Sequence, residues 1–236
     1  MNAAQNSPEL RTVDAITDIL AGEIVAGMHK PGENLPAEVH LAERFAVSRP
    51  TIRNVLKKLA GKGLTSSRRG SGHCVTRWWE NASPAVLTGA LERLPLTSAA
   101  GRSLVSDVLE ARIEVACTLA RQLSRRRDDR LLAEAGLQIA QITRPDQMLV
   151  QEAQLYAAYT QALPNLTMRM TIYGVLQPAQ LVLQKLNFIP AEAQQHLDEI
   201  KKIHRCIEMT MEPDAVELTR AHLTRLDLEI RRALLG

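Results

Sequence analysis

The stretch that decides the fold is residues 41–64, which read LAERFAVSRPTIRNVLKKLAGKGL. Together with the residues just before it, this stretch predicts a short helix over Ala37–Phe45, a three-residue turn, and a second helix from Ser48 to about Lys62. The hydroxyl of Ser48 suits the N-cap of the second helix. Pro50 suits its first turn, because proline lacks the N–H that would remain unbonded there.

A β-hairpin is predicted directly after the second helix. The segment Leu64–Thr76 is rich in Ser, Gly and β-branched residues, and its tip from Arg68 to Gly72 is rich in glycine. An amphipathic helix is predicted upstream, over Thr12–Ala26, from the spacing of its apolar residues. Two short helices around a tight turn, followed by a hairpin, predict a winged helix-turn-helix.

Charge is unevenly distributed along the chain. The 236 residues include 29 Lys or Arg and 26 Asp or Glu, so the formal net charge is +3. Residues 1–80 hold 11 basic and 8 acidic residues, and the remainder holds 18 of each. Within the first third, the segment Arg44–Arg77 contains nine basic residues and neither Asp nor Glu. A local positive field of this kind suits a polyanion and predicts double-stranded DNA as a partner.

Composition excludes several other classes of protein. An apolar content of 45% is enough for a sizeable core, so the chain is not predicted to be disordered. The uncharged run Met170–Gln184 is shorter than the roughly 20 residues of a membrane helix. The three cysteines, Cys74, Cys117 and Cys206, are far apart and suit reduced thiols. These features predict a cytoplasmic protein without a membrane segment.

After residue 84 the apolar spacing is almost wholly helical and predicts six or seven helices with short links, as in an antiparallel bundle. The predicted fold class is therefore mainly α, with an N-terminal winged helix-turn-helix that has a small β-wing and a C-terminal all-helical bundle. The predicted domains are the DNA-binding domain over residues 1–76, a linker over 77–83, and an effector-binding and dimerisation domain over 84–236.

The predicted DNA contacts lie on the second helix and on the wing, because the second helix of such a motif enters the major groove. Arg49 and Arg53 are four residues apart, hence on one helical face, and an arginine fork can bond O6 and N7 of guanine together. Lys58 is predicted to contact phosphate, and the wing tip a minor groove or a phosphate strand. The alternative is a solvated charged face. The predicted DNA-binding residues are Ser48, Arg49, Pro50, Thr51, Arg53, Lys58, Arg68, Arg69 and Gly70.

The N-terminal third resembles the GntR family of bacterial transcription regulators. The motifs that carry the resemblance are LPAE at Leu35–Glu38, LAERFAVSR at Leu41–Arg49, IRNVLKKL at Ile52–Leu59, and Gly63-Leu64. The resemblance covers about residues 10–76 and implies a dimeric DNA-binding regulator. This chain departs from the pattern at Val39, where many members have an arginine that contacts DNA, so the operator sequence is left open.

The rest of the chain resembles the FCD effector domain of the FadR subfamily. The resemblance rests on Trp78-Trp79-Glu80, on the following segment Val86–Leu94, and on Val108–Arg112 at the start of a long helix. It implies a small-molecule effector, for which an acyl-CoA, a small organic acid and no effector at all are open. It also implies a homodimer that binds a palindrome.

Many FCD domains bind a divalent metal through an Asp, a His four residues later, and two His on later helices. By this resemblance Glu152 takes the place of the Asp, Tyr156 that of the first His, and His204 that of the next. Arg225 takes the place of the last His, and His222 lies one turn earlier. Because a phenol and a cation replace two ligands, no metal is favoured. Glu152, His204 and His222 are the candidate ligands if one binds.

The resemblance also implies that Arg112 holds the carboxylate of an acidic effector, since a guanidinium can bond a carboxylate through two N–H groups. The alternative is a structural ion pair with Glu110, Glu114 or another acid of the bundle. Tyrosines on a core face can line the same cavity or merely pack. The predicted effector-binding residues are Arg112, Tyr156, Tyr159, His204 and His222.

Three functions compete at this point. The favoured function is a ligand-responsive, homodimeric transcriptional regulator. The second is a helical-bundle metalloenzyme that uses Glu152, His204 and His222, although no nucleophile motif or phosphate loop supports it, and the chain is predicted not to be an enzyme. The third is an architectural nucleic-acid binder without an effector. Specific binding to a palindrome over scrambled DNA distinguishes the first from the third.

Overall fold

The computed structural model describes residues 12–68, 72–126 and 128–235. It divides into two compact units, Met1–Gly101 and Arg102–Gly236, which are described separately. The first unit contains α1 Val13–Val25, α2 Glu38–Phe45, α3 Arg49–Gly61, β1 Thr65–Arg68, β2 Gly72–Val75 and α4 Ala85–Arg93. The remaining helices are α5 Ala99–Arg126, α6 Asp129–Ala140, α7 Met148–Gln161, α8 Leu166–Leu186, α9 Ala193–Glu208 and α10 Glu212–Leu235.

The helix-turn-helix forms where the sequence predicts it. α2 ends at Phe45, and its C-cap residue Ala46 has a φ of 52° in the left-handed region, which reverses the chain. Ser48 then caps α3, because its Oγ accepts a hydrogen bond of 3.3 Å from the backbone N–H of Thr51. The helix ends at Gly61, one residue before the predicted end. The local capping chemistry therefore fixes both ends of the turn.

The wing is a two-stranded antiparallel hairpin in which Thr65 lies opposite Val75 and Arg68 opposite Gly72. The chain leaves α3 through Gly63, whose φ is 77°, and a side chain there would meet the backbone oxygen of Asn81 at 2.9 Å. The predicted wing-tip residues Arg69 and Gly70, and the side chain of Arg68, lie outside the described part of the chain.

The core of the first unit is formed by apolar side chains of α1, α2 and α3, and it extends to α4. Val86 of α4 is buried in the same cluster as Leu20 and Leu56, and Trp78 packs against it. Arg93, at the end of α4, donates a hydrogen bond of 3.0 Å to Asp18 on α1. α4, which the sequence assigns to the second domain, therefore packs within the first unit because its apolar face completes this core.

The second unit is all-helical. α7 packs against α6 and α8, and α9 packs against α6 and α10. Seven helices follow residue 84 in the part of the chain that the structure describes, which agrees with the predicted number. The predicted mainly α fold is confirmed. Within the described ranges, no helix is both long enough and apolar enough to span a membrane.

Truncating a core residue of the first unit should test this packing. Leu20 is fully buried, so we expect Leu20→Ala to lower the free energy of unfolding by about 2–5 kcal/mol through lost apolar contact and a cavity. Met28 is 66% exposed, and Met28→Ala is the matched control with an expected change within about 0.5 kcal/mol. Urea denaturation followed by circular dichroism measures both. Equal effects of the two variants would contradict the assigned core.

Candidate functional site

The N-terminal turn of α3 is exposed and carries the predicted base-reading residues. Ser48, Arg49 and Pro50 are exposed on this surface. The hydroxyls of Ser48 and Thr51 lie 2.8 Å apart and bond to each other, so these two groups are held in place by the cap. Arg49 has no ion-pair partner among the described residues, which leaves its whole guanidinium group free.

Several cations of the acid-free segment are paired with acids that lie outside it in sequence. Arg53 Nε donates a hydrogen bond of 2.8 Å to Glu38 of α2. Lys58 Nζ lies 2.5 Å from Asp14 of α1. Two further pairs are Arg44 with Glu23 and Lys62 with Asp18. The exposed positive charge is therefore smaller than the sequence segment suggests, because α1 and α2 supply carboxylates to it.

The ion pairs of Arg53, Lys58 and Lys62 are partly exposed to solvent, whereas Glu23 in the pair with Arg44 is mostly buried. The hydrogen bond from Lys58 lowers the pKa of Asp14 below its ordinary value, although both side chains are largely exposed. Exposed ion pairs contribute about 0–1 kcal/mol to stability, so a DNA phosphate can replace such a carboxylate at little cost. Arg49 and Lys57 are the cations of α3 without an ion-pair partner in the described ranges.

The predicted effector residues of the second unit fall into two groups. Arg112, Tyr156 and His222 lie around Glu152, whereas Tyr159 and His204 form a separate pair. The hydroxyl of Tyr159 lies 2.6 Å from Nδ1 of His204. Nε2 of His204 lies 3.2 Å from Glu208. The rings of Tyr156 and Tyr159 pack edge to face with centroids 6.3 Å apart, which brings the two groups into contact.

A chain of polar contacts, buried at its centre, connects four helices of the second unit: α5, α7, α9 and α10. Nη2 of Arg112 lies 3.2 Å from Oε2 of Glu152, as an ion pair without hydrogen-bond alignment. Oε1 of the same carboxylate lies 3.1 Å from Nε2 of His222. Nδ1 of His222 lies 2.7 Å from Glu199, which also contacts Arg225. Arg112 is thus paired with an acid of the bundle, and that acid is Glu152.

Charge and burial shift the pKa values of this chain of contacts. Burial by itself raises the pKa of Glu152, but the charges of Arg112 and His222 outweigh burial and bring the pKa to about 2. Burial, reinforced by the nearby Glu152 carboxylate, raises the pKa of Tyr156 well above its ordinary value. Glu152 is therefore a carboxylate and Tyr156 a neutral phenol at physiological pH.

The candidate metal ligands that the sequence proposes are not brought together as a set. Glu152 contacts His222, but His204 is bonded to Tyr159 and Glu208. The ligand atoms of His196, Glu199 and His222 instead lie within 4.8 Å of one another. Sequence reasoning missed His196 and Glu199. Their spacing of three residues on an amphipathic helix is the signal that places both on one face.

A cavity of the second unit lies away from these residues. It is an open cavity of about 460 Å³ between α5 and α8, lined by Val115, Thr118, Asn165, Met168 and Ile172 among others. The predicted effector residues are not part of its lining. A ligand of ordinary size therefore has room beside the bundle core without contact to Arg112.

Removing only one partner of the buried Arg112–Glu152 ion pair should lower the free energy of unfolding strongly. We expect Glu152→Ala to destabilise the second unit by about 3–5 kcal/mol, because it leaves the guanidinium of Arg112 buried without a counter-charge. Glu114→Ala, the control, removes an exposed pair with Arg220 and should cost about 0–1 kcal/mol. Urea denaturation of the full chain measures both changes.

A double variant separates loss of the pair from loss of volume. Arg112→Leu combined with Glu152→Leu removes both charges and should recover most of the stability lost in Glu152→Ala. A double variant as unstable as the single one would show that the cost is not electrostatic.

The first unit is a winged helix-turn-helix with an exposed first turn of α3, an architecture that many DNA-binding proteins share. Residues 12–75 match the family described as bacterial regulatory proteins, gntR family. The matched residues include the motifs that carry the resemblance in the sequence. The match ends before the second unit, so the resemblance of the helical unit to an FCD domain stays a prediction.

Curated relatives resemble part of the chain. The HTH-type transcriptional regulator Mce2R of Mycobacterium tuberculosis is 38% identical over 97 residues, which are 41% of this chain and 37% of that protein. A fatty acid metabolism regulator protein of Edwardsiella ictaluri is 36% identical over 103 residues, 44% of this chain and 42% of that protein. This chain thus spans about two fifths of the length of these relatives.

Two further similarities extend the comparison. A galactonate operon transcriptional repressor of Escherichia coli is 39% identical over 85 residues, 35% of this chain and 37% of that protein. A solved GntR structure from Streptococcus agalactiae covers 92% of this chain and 99% of its own, at 19% identity and a TM-score of 0.48. The matched family and these curated relatives are all described as regulators, and none of their names describes an enzyme.

Proposed function

We propose that this chain is a transcriptional regulator that binds a palindromic operator as a homodimer and changes its DNA affinity in response to a small-molecule effector. The observation that carries the proposal is the exposed N-terminal turn of α3, with the unpaired guanidinium of Arg49, inside the segment that matches the GntR family. A recognition helix of this kind reads base edges with its N-terminal residues.

Arg49 and Arg53 have different roles in this proposal. Arg49 is free to approach a guanine through its terminal nitrogens. Arg53 is held by Glu38 through Nε alone, which leaves its two terminal nitrogens available for the same bidentate contact. Glu38 is therefore a positioning residue that restricts the rotamers of Arg53, and it reduces the entropy lost when that side chain binds a base.

Two copies of the DNA-binding unit are part of the proposal because one recognition helix reads only a short half-site. Half-sites about one helical turn apart, each read by one copy, match a two-fold symmetric protein to a palindrome. The twofold arrangement also doubles the number of phosphate contacts, which raises both affinity and salt dependence.

The proposed effector classes are an acyl-CoA and a small organic acid. Two relatives are named as a fatty acid metabolism regulator and a galactonate operon repressor. These names support effectors of the two proposed classes. An acidic effector that binds Arg112 has to displace Glu152 from the guanidinium. An effector that binds the open cavity between α5 and α8 leaves this pair intact.

Arg49→Ala tests the base-reading assignment. We expect it to weaken binding to a palindrome from the upstream region of its own gene about 5- to 150-fold, the equivalent of about 1–3 kcal/mol. Binding to scrambled DNA of the same length should change much less. Fluorescence anisotropy at several salt concentrations measures both affinities.

Lys58→Ala is the comparison variant on the same helix. We expect it to weaken palindromic and scrambled DNA alike and to lower the salt slope by about 1, because it removes a phosphate contact. If the unsubstituted protein binds both DNAs equally at physiological salt, it is an architectural binder and the regulator proposal fails.

Glu38→Gln tests the positioning role. We expect the ratio of palindromic to scrambled affinity to fall about 5- to 20-fold, a loss of about 1–2 kcal/mol, because Arg53 loses its charged anchor. Affinity for scrambled DNA should stay equal or increase, since a negative charge near the phosphates is removed. Glu43→Gln removes the same charge from α2 without contact to Arg53 and should keep the ratio. Equal ratios in both variants would refute the role.

A further inference from the structure

The open cavity between α5 and α8 has the size of a small-molecule site. Its volume is about 460 Å³, and small-molecule sites in proteins span roughly 300–1,000 Å³. All of its lining residues belong to the second unit. Those that matter for its chemistry are Glu114, Val115 and Thr118 of α5 and Met168, Thr171 and Ile172 of α8.

The wall of this cavity is mostly apolar. Val115 and Ile172 contribute aliphatic side chains, and Met168 contributes an unbranched thioether that adapts to the shape of a ligand. Water against such a wall finds few hydrogen-bond partners, so an apolar chain that replaces it lowers the free energy. The cavity therefore suits a ligand that is largely hydrocarbon.

The charge of the lining disfavours an acidic ligand. Glu114 is the only charged residue among the described lining residues. Two hydrogen bonds from Arg220 of α10, of 2.5 and 3.0 Å, lower the pKa of Glu114 and keep it a carboxylate. The amide of Asn165 already bonds the backbone N–H of Met168, one of the helix-end groups that attract anions. A ligand carboxylate here would lose hydration beside a negative charge, so an uncharged ligand fits better.

Thr118 adds a hydrogen-bonding group to the apolar wall. Hydroxyls inside helices commonly bond the backbone carbonyl four residues earlier. In the described ranges, hydroxyls that do so belong to Thr17, Ser124, Thr160, Thr171 and Thr219. The hydroxyl of Thr118, a half-buried residue in the middle of α5, makes no hydrogen bond within the part of the chain that the structure describes. It is therefore available to donate to, or accept from, a ligand.

We propose that the cavity between α5 and α8 binds an uncharged amphiphile, a straight hydrocarbon chain of about eight to ten carbons that ends in a hydroxyl. The chain lies against Val115, Met168 and Ile172, and its hydroxyl bonds that of Thr118. This ligand class goes beyond the acyl-CoA and organic acid of the proposed function. Arg112 and Glu152 take no part in it.

Titration calorimetry of the full chain with straight-chain primary alcohols tests the proposal. We expect octanol, nonanol and decanol to saturate at about one molecule per chain. Each added methylene should lower the dissociation constant about 2- to 4-fold, because it is buried against the wall. Octanoate and decanoate, used below their micelle concentrations, should bind at least about tenfold more weakly than the matching alcohols. Because DNA is absent, failure here is distinguishable from failure of the proposed regulator function.

Two substitutions in the lining locate the bound alcohol. Thr118→Val removes the hydroxyl and keeps the shape of the side chain, so it should weaken decanol binding about 3- to 10-fold. Thr224→Val is the matched control, because Thr224 is exposed on α10 and outside the lining, and it should bind decanol like the parent. Val115→Phe fills the cavity and should abolish binding.

A third substitution tests the selection against acids. Glu114→Gln removes the carboxylate from the lining and frees the guanidinium of Arg220. Decanoate should then bind about 5- to 10-fold more tightly, whereas decanol should stay within about twofold of its parent affinity. Glu217→Gln removes the same charge from an exposed position of α10 outside the lining, and it should change neither affinity.

Four outcomes would overturn the proposal. The first is no saturable binding of decanol up to its solubility. The second is equal affinity for alcohols and acids of the same length, and the third is equal loss in Thr118→Val and Thr224→Val. The fourth is a dimer in ultracentrifugation that Val115→Phe disrupts while decanol does not bind, since a second copy then covers the cavity. Thr118→Val keeps the side-chain shape, so it decides the matter even if Val115→Phe fails to fold.

Discussion

One face of α3 is buried while the opposite face carries the residues proposed to contact DNA, and the first unit is arranged around that division. Ile52, Val55, Leu56 and Leu59 recur at helical spacing and are all buried. Their burial fixes the rotation of the helix about its axis, and Arg49 and Arg53 must then face outward. A rotation error of even one residue would bury a guanidinium at high cost, so the core and the reading surface are specified by the same contacts.

The carboxylates of α1 and α2 convert a strongly basic segment into a surface of mixed charge. Unpaired cations packed along α3 would repel one another and weaken the unit in the absence of DNA. Pairing them with Glu38, Asp14 and Asp18 relieves this repulsion, yet each pair remains exposed and exchangeable. Under the proposed function, pairing of Lys58 and Lys62 lowers the nonspecific affinity, whereas the terminal nitrogens of Arg53 stay available for a base, so the contrast between specific and nonspecific sites increases.

Local chemistry explains how much of the fold the sequence predicts. The turn between α2 and α3 is set by neighbouring residues, so its cap at Ser48 and the bounds of both helices are readable from the sequence. Contacts between helices cannot be read from the sequence in this way. The pairing of Arg53 with Glu38 and the docking of α4 through Val86 depend on how helices meet in space. Helical periodicity reports which face is buried, and it does not report what that face contacts.

Periodicity likewise cannot show which of the two histidines of α9 lies beside α10. His196 and His204 are eight residues apart, both lie on the buried side, and spacing cannot show which end of α9 approaches α10. The packing places His196 beside His222 and His204 beside Tyr159. Hydrogen bonds to carboxylates from other helices then decide which ring nitrogen is available, and this information exists only in the assembled bundle.

Glu152 links two parts of the bundle, because its carboxylate contacts both Arg112 on α5 and His222 on α10. Any acid that takes Arg112 must move Glu152, since two carboxylates cannot share one buried guanidinium without a large electrostatic cost. Moving Glu152 also removes its contact with Nε2 of His222 on α10. An acidic ligand at Arg112 would therefore also change the contact between α7 and α10 that Glu152 and His222 make.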